Sequence, residues 1–380
     1  MRIFQVIEAT SNSALAKNQT WYRNLYEPLL DLGHEVILFP ANEGRLAKLR
    51  KDQKLKERFS QKLVDIFKEN HSQKPFDLFF AYLMDDMINP AAIDEIRKHN
   101  VLTCNFSCNN AHQFDLVDEL SPHFDYCLHS ERDAFSKFLS VGATPIWFQM
   151  AANPKYYYPR QIPRNKEVSF VGMNYSKRAY YISHLLNNGI DVQVYGPGWV
   201  LSKNKQRLKR WIKRNFFLIW ALISSSPELQ TQYSATAAQI DAFRLLSRRY
   251  PRSFHNPIQD EAMISLFSES QISLGFLEVH KGHDPSAPVT QHLHLREFEA
   301  PMSGALYCTG YCDEITEFYE PNQEVIVYRN QHELLDKIRF YLKHEESGER
   351  IRQAGRKRAL ECHTYQKRFH DLFIQLCLYS

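Results

Sequence analysis

The feature that most constrains this chain is a change of hydrophobic period that repeats, stops and starts again. Short apolar runs alternate with segments of helical spacing through the first 150 or so residues. Residues 3–7, 35–39, 77–81, 101–105, 126–129 and 145–148 read as strands. Between them, residues 19–32 place Leu25, Leu29 and Leu32 at helical spacing, with Gly33 as the stop. Residues 43–70 form one long charged helical pattern, and residues 91–98 a shorter one. Strands separated by helices cannot pair as hairpins. They require βαβ crossovers and therefore a parallel sheet.

The rhythm breaks at Tyr156-Tyr157-Tyr158-Pro159 through Pro163-Arg164-Asn165-Lys166, which reads as an interdomain linker. It then resumes. Residues 167–171 end as a strand at Gly172, a helix follows over 177–188, and residues 191–195 form a strand that ends in Gly196-Pro197-Gly198-Trp199. Strands are expected at 271–276, 305–309 and 324–328, and helices over 293–303 and 347 onwards. Asn330 and Glu333 supply a capping pattern for a helix to about residue 343. At 380 residues the chain exceeds one ordinary core. The expected organisation is a first α/β domain over 1–155, a second over 165–355 with an insertion at about 201–252, and a C-terminal helix within 356–380 packing back towards the first. In doubly wound domains, ligands lie at the carboxyl ends of the strands, here expected in a cleft between the two.

Composition narrows the function classes. A net charge of +4 is small for this length and argues against a nucleic-acid partner. Seven cysteines at scattered spacing, with a first strand beginning at the N-terminus, lead to the expectation of a cytoplasmic protein with free thiols. No apolar run reaches the length of a bilayer span. One stretch stands apart: residues 203–215 are basic and run into the apolar residues 216–223. It reads either as an interfacial segment on an anionic membrane, which would make the protein peripheral on its inner face, or as a packed helix with a solvated basic side.

Several positions could carry chemistry. Gly172 followed by Lys177 and Arg178 suits a phosphate group, because glycine admits close backbone approach and cations neutralise charge. At helical spacing, His292, Arg296 and Glu299 share a face, and an ionised Glu299 could accept both hydroxyls of a ribose. An Arg296–Glu299 surface pair of little consequence fits the same spacing.

In order along the chain stand Phe170-Val171-Gly172, Arg178, Tyr195-Gly196-Pro197-Gly198-Trp199, Arg296-Glu297-Phe298-Glu299 and His363-Thr364-Tyr365-Gln366-Lys367-Arg368. Together they resemble the CgeB-like (spore maturation protein B type) glycosyltransferases. Glu299-Ala300 to Gly304-Ala305-Leu306 is similar to the E-A-x-x-x-G element of GT-B enzymes at large. The resemblance covers about residues 105–373. It implies a GT-B fold of two Rossmann-like domains facing a central cleft, and transfer of a hexose or similar sugar from a nucleotide-diphosphate-sugar to a glycan, lipid-linked glycan or protein. The nucleotide sugar is a co-substrate and no cofactor is implied. On this resemblance Glu299 holds the ribose, Arg178 and Arg296 face the diphosphate, and Gly172 gives it room. Gly196, Gly198 and Trp199 are further donor-binding residues, and the loop 278–284 with His280, together with Gln291, lies near the donor sugar.

The chain departs from the pattern in places. Gln291 stands where a carboxylate is usual, Asn109 and Asn110 replace an acidic pair, Pro301 interrupts a helix, and residues 201–252 are longer than usual. Gln291 and the Asn109-Asn110 pair leave open a second reading, an inactive GT-B-fold subunit that binds glycans or assists assembly. For a general base, His112 and Asp115 follow a strand end in the first domain, as do Asp85 and Asp86. His280, His283 and Asp284 could be drawn as a metal site, but no metal is expected.

Overall fold

The computed structural model describes residues 1–8, 20–200, 243, 245–280 and 289–379. The basic–apolar segment 203–223, most of the 201–252 insertion, His283 and Asp284 lie outside these residues. The chain divides into two compact units, Met1–Tyr156 with Cys362–Ser380, and Tyr157–Glu361.

The first unit holds β1 (Arg2–Ile7), α1 (Glu27–Asp31), β2 (Glu35–Pro40), α2 (Asn42–Arg50), α3 (Gln53–Gln73), β3 (Leu78–Ala81), α4 (Pro90–Arg97), β4 (Leu102–Ser107), β5 (Tyr126–His129), α5 (Phe135–Ser140) and β6 (Pro145–Trp147). Its sheet runs β2-β1-β3-β4-β5-β6, and every pairing is parallel. β1, β3 and β4 are buried almost throughout, on both faces of the sheet; β3 is wholly apolar, whereas β4 buries Thr103, Asn105 and Ser107 among its apolar residues. On one face, Phe4, Phe67, Phe76 and Phe79 form a ring cluster.

The second unit holds β7 (Lys166–Val171), α6 (Arg178–Asn187), β8 (Val192–Tyr195), β9 (Phe254–His255), α7 (Asp260–Glu269), β10 (Ser270–Leu274), β11 (Glu278–His280), β12 (Val289–Gln291), α8 (Arg296–Met302), β13 (Tyr307–Gly310), β14 (Ile326–Tyr328), α9 (Gln331–Lys343) and all but the last residue of α10 (Glu345–Cys362). Its parallel sheet runs β9-β8-β7-β10-β13-β14. Numbered within the unit, that is the Rossmann order 3-2-1-4-5-6, with the strand order reversing between β7 and β10. β11 and β12 form a separate antiparallel hairpin.

Three helices differ from the sequence expectation. The pattern over 43–70 is two helices, because Lys51 adopts a left-handed conformation (φ 52°) and Asp52 starts a new helix by accepting from the Leu55 N–H at 3.1 Å. The final helix is likewise split after Cys362. Thr364 caps α11 (Tyr365–Gln375), which belongs to the first unit and packs on α1. The helix expected over 293–303 begins only at Arg296, so His292 precedes it and does not share its face. Pro301 does not kink it, since α8 ends one residue later. The Gly304 N–H donates to Pro301 O at 2.9 Å and the Ala305 N–H to Ala300 O at 3.0 Å, with Gly304 left-handed at φ 76°.

The C-terminal motif has a packing role. The Arg368 guanidinium donates to Cys362 O, Gln149 O and Met150 O at 3.1, 3.3 and 3.5 Å, which ties α11 to residues 149–150. All seven cysteines are free thiols, and burial pushes Cys127 and Cys308 up to about 12. Among the described residues no helix is long and apolar enough to cross a membrane.

Candidate functional site

The glycine motifs meet at the carboxyl ends of β7 and β8. The Gly172 N–H donates to Tyr195 O at 2.9 Å, and the Asn174 N–H to Pro197 O at 2.9 Å. The Trp199 indole N–H closes the turn on Gly172 O at 2.7 Å. Gly196, at φ 150°, lies so near that a Cβ would sit 2.1 Å from Gly172 O. Only glycine allows that approach. Trp199 itself is fully buried, with its ring parallel to Phe254 and edge-on to Phe170 and Phe243. It supports the turn from the core side.

Arg178 opens α6 directly after this turn and is 7% exposed. Its guanidinium donates to Met173 O at 3.1 Å, to the Tyr175 hydroxyl at 2.5 Å and to Phe276 O at 3.3 Å. Met173 follows β7 and Phe276 follows β10. Arg178 therefore bridges the two strand ends between which the sheet order reverses, where Rossmann units bind their ligands. Carbonyl dipoles solvate it, and it forms no ion pair among the described residues; its Nε is buried without a hydrogen-bond partner. Burial lowers its pKa, partly offset by Tyr175 and Glu297.

The first turn of α8 carries two buried carboxylates. Glu297 accepts from the hydroxyls of Tyr307 (2.8 Å) and Thr309 (3.1 Å) and from the His294 N–H (2.7 Å), which fastens α8 to β13. Burial raises its pKa. Glu299, 1% exposed, accepts from the Tyr157 hydroxyl on Oε1 at 2.6 Å and from Arg296 Nη1 on Oε2. Arg296 is about one-third exposed (34%), so the pair is not the surface contact that spacing also allowed.

The hairpin β11–β12 places Gln291 directly opposite Glu278. Gln291 is exposed, whereas Glu278 accepts from the Tyr181 hydroxyl at 3.0 Å and lies 3.7 Å from Lys177 Nζ. A carboxylate is thus present on the strand beside Gln291. His280 ends β11; its side chain lies outside the described residues. Among those residues no group of three or more His, Cys, Asp or Glu could hold a metal ion.

The structure brings Gly172, Arg178, Gly196 and Gly198 together, and separately Arg296 with Glu299. His112 and Asp115 belong to the first unit. His112 is half-buried in the turn after β4, its N–H donating to Asn109 O at 3.2 Å. Asp115 is exposed on the single helical turn Phe114–Leu116. Sequence reasoning missed Tyr157, Tyr175 and Glu297, and named Glu278 only as part of a loop, 278–284, expected near the donor sugar. For Tyr157 a signal existed: three consecutive tyrosines in an otherwise polar stretch. Each does something different. Tyr156 donates to Glu27 at 2.6 Å, Tyr157 to Glu299, and Tyr158 lies under Arg160 with the guanidinium 3.8 Å from the ring centroid.

Residues 228–373 match the family model described as glycosyl transferase-like. That span includes α8 with Glu297 and Glu299. Among solved structures the chain is similar to sucrose-phosphate synthase from Thermosynechococcus elongatus, at 11% identity and a TM-score of 0.56 over 100% of both chains. It is similar to the Anabaena protein HepE in complex with UDP and glucose, at 13% identity and a TM-score of 0.55 over 100% of both. A glycosyltransferase from Rickettsia africae aligns at 13% identity and a TM-score of 0.56, covering 98% of this chain and 97% of that one. No curated protein matches the sequence. The fold is that of the GT-B glycosyltransferases, with two Rossmann-like parallel-sheet units.

Proposed function

We propose that this protein is a glycosyltransferase that moves a sugar from a nucleotide-diphosphate-sugar donor to a glycan, a lipid-linked glycan or a protein. The observation that carries this reading is Arg178, a buried cation solvated by carbonyls at the strand-order reversal, beside backbone that only glycine can form. A diphosphate placed there supplies the ion-pair partner that Arg178 lacks among the described residues, and Lys177 adds a second cation. In the reaction, charge grows on the leaving diphosphate as the sugar departs. Fixed cations and oriented N–H groups lower the barrier by stabilising that charge. Glu299 takes the ribose hydroxyls, and Arg296 adds positive charge on the same helix.

Thermal melts with UDP, GDP, ADP and CMP test the reading. A nucleotide at about 100 times its Kd stabilises the folded state by about 2.7 kcal/mol. One of the four is expected to raise the melting temperature, and Arg178→Gln to reduce the rise. If none of the four raises it, the reading fails. A shift without sugar transfer or donor hydrolysis would favour an inactive glycan-binding or assembly subunit, to which Gln291 and the Asn109-Asn110 pair also point.

A further inference from the structure

Among the described residues, the Tyr157 hydroxyl is the one side-chain donor to the Glu299 carboxylate that comes from outside α8. We propose that Tyr157 is the positioning residue that holds the Glu299 carboxylate ready for the ribose hydroxyls; this rests on the donor site proposed above. Tyr157 is 3% exposed and Glu299 1%, so neither side chain competes with bulk water for the bond between them. Burial, and then the charge of Glu299, push the phenol's pKa well above its ordinary value, so it remains a donor throughout the physiological range.

A carboxylate offers about four lone-pair sites on its two oxygens. Tyr157 occupies one on Oε1 and Arg296 one on Oε2. One acceptor site remains on each oxygen, the number that two vicinal hydroxyls need. Without Tyr157 the carboxylate is held at Oε2 alone and can rotate about its terminal torsion, which is intrinsically broad.

The backbone that presents Tyr157 is itself fixed against α8 and α7. A Cβ on Gly304 would lie 2.8 Å from Pro159 Cγ, so residues 159 and 304 touch without room between them. The Arg160 N–H donates to Ser268 Oγ at 2.8 Å. Tyr157 is therefore delivered to Glu299 by a packed strand of chain.

The experiment is a comparison of ribose recognition in the full chain. UDP, GDP, ADP and CMP identify the nucleotide that binds, and its 2′-deoxy form is then titrated against the wild type and Tyr157→Phe. A hydrogen bond to a charged group supports discrimination of at least about tenfold, so the wild type is expected to prefer the ribonucleotide by that factor. Tyr157→Phe is expected to lose most of that preference while binding the deoxynucleotide almost as the wild type does. A merely structural role would weaken both ligands alike. In a Glu299→Gln background, Tyr157→Phe should add little.

If Tyr157→Phe keeps the wild-type preference, or binds the ribonucleotide more tightly, the inference is overturned although the donor site stands. If the wild type binds a nucleotide without ribose preference, the inference is overturned with the role given to Glu299. If no nucleotide binds, both fall. Should Tyr157→Phe melt below the assay temperature, Tyr157→His, which retains a ring donor, is expected to restore part of the preference; folded protein without it overturns the proposal as well.

Discussion

Tyr157 and Glu299 are joined by a 2.6 Å hydrogen bond between two buried side chains 142 residues apart in sequence. The carboxylate is satisfied on both oxygens, and its partners depend on it in turn. Glu299→Ala removes the acceptor of a buried phenol and the counter-charge of Arg296. Breaking a buried pair from one side costs about 3 kcal/mol or more, and the partial exposure of Arg296 places this case at the lower end. A melt should show that loss, and titration should show no nucleotide-dependent stabilisation. Retained nucleotide binding would remove Glu299 from the site.

Gly196→Ala tests the turn rather than the charges. The new Cβ would clash with Gly172 O at a φ that side chains rarely adopt. A loss of at least about 2 kcal/mol is expected, with weaker binding of whichever nucleotide binds the wild type. Gly189→Ala is the matched control: its φ is also positive (81°) but nothing lies within 4 Å of a Cβ there, so it should cost about 1 kcal/mol and leave binding intact.

Trp199→Phe keeps the aromatic packing and deletes the donor to Gly172 O. The bond is worth about 1 kcal/mol, and the carbonyl it leaves unpartnered adds to the loss. Equilibrium unfolding in urea checks the stability, and the nucleotide titration checks whether the turn loosens. An affinity unchanged to within experimental scatter would mean that Trp199 serves the core alone.

Two groups of the first unit set opposite pH dependences. Asp85 is 7% exposed, and burial raises its pKa to about 7, with the Asp118 carboxyl adding to the shift. The folded state holds its proton more tightly than the unfolded state. Its contribution is present below the unfolded value of about 4 and declines as pH rises from there to about 7. His129 is fully buried, and burial lowers its pKa to about 4. Its contribution is present above the unfolded value of about 6.5 and is lost as pH falls towards 4. Asp85 accepts from the Leu120 N–H on Oδ1 and from the Glu119 N–H on Oδ2. In Asp85→Asn the single amide oxygen can keep the Leu120 bond, and the Glu119 bond is lost at a cost that does not depend on pH. The difference in unfolding free energy between this variant and the wild type should move in the variant's favour from about pH 4 to about pH 7 and then level off. A difference independent of pH would show that Asp85 titrates normally.

The sequence by itself determined the alternation and its restart. Period and punctuation are local, so the strands at 3–7, 126–129 and 167–171 fall within one residue of Arg2–Ile7, Tyr126–His129 and Lys166–Val171. The two long helical patterns were misjudged for an equally local reason: Asp52 and Thr364 were capping residues inside stretches whose apolar spacing continues past them. The order of the strands was beyond reach, because parallel pairing joins segments whose separation leaves no trace in hydrophobic period. Only the tertiary structure placed β10 beside β7, and with it Phe276 O within reach of Arg178. It also moved the meaning of single residues. Gly196 and Trp199 belong to a motif that sequence treats as one unit, yet Gly196 meets Gly172 O through bare backbone while Trp199 reaches the same oxygen from a ring that fills the core. Tyr157 shows the limit most plainly. Its neighbours Tyr156 and Tyr158 have the same side chain, and what separates them is the partner that folding brings to each hydroxyl: a buried carboxylate for Tyr157, and for the others none that binds a ligand in the reading proposed here.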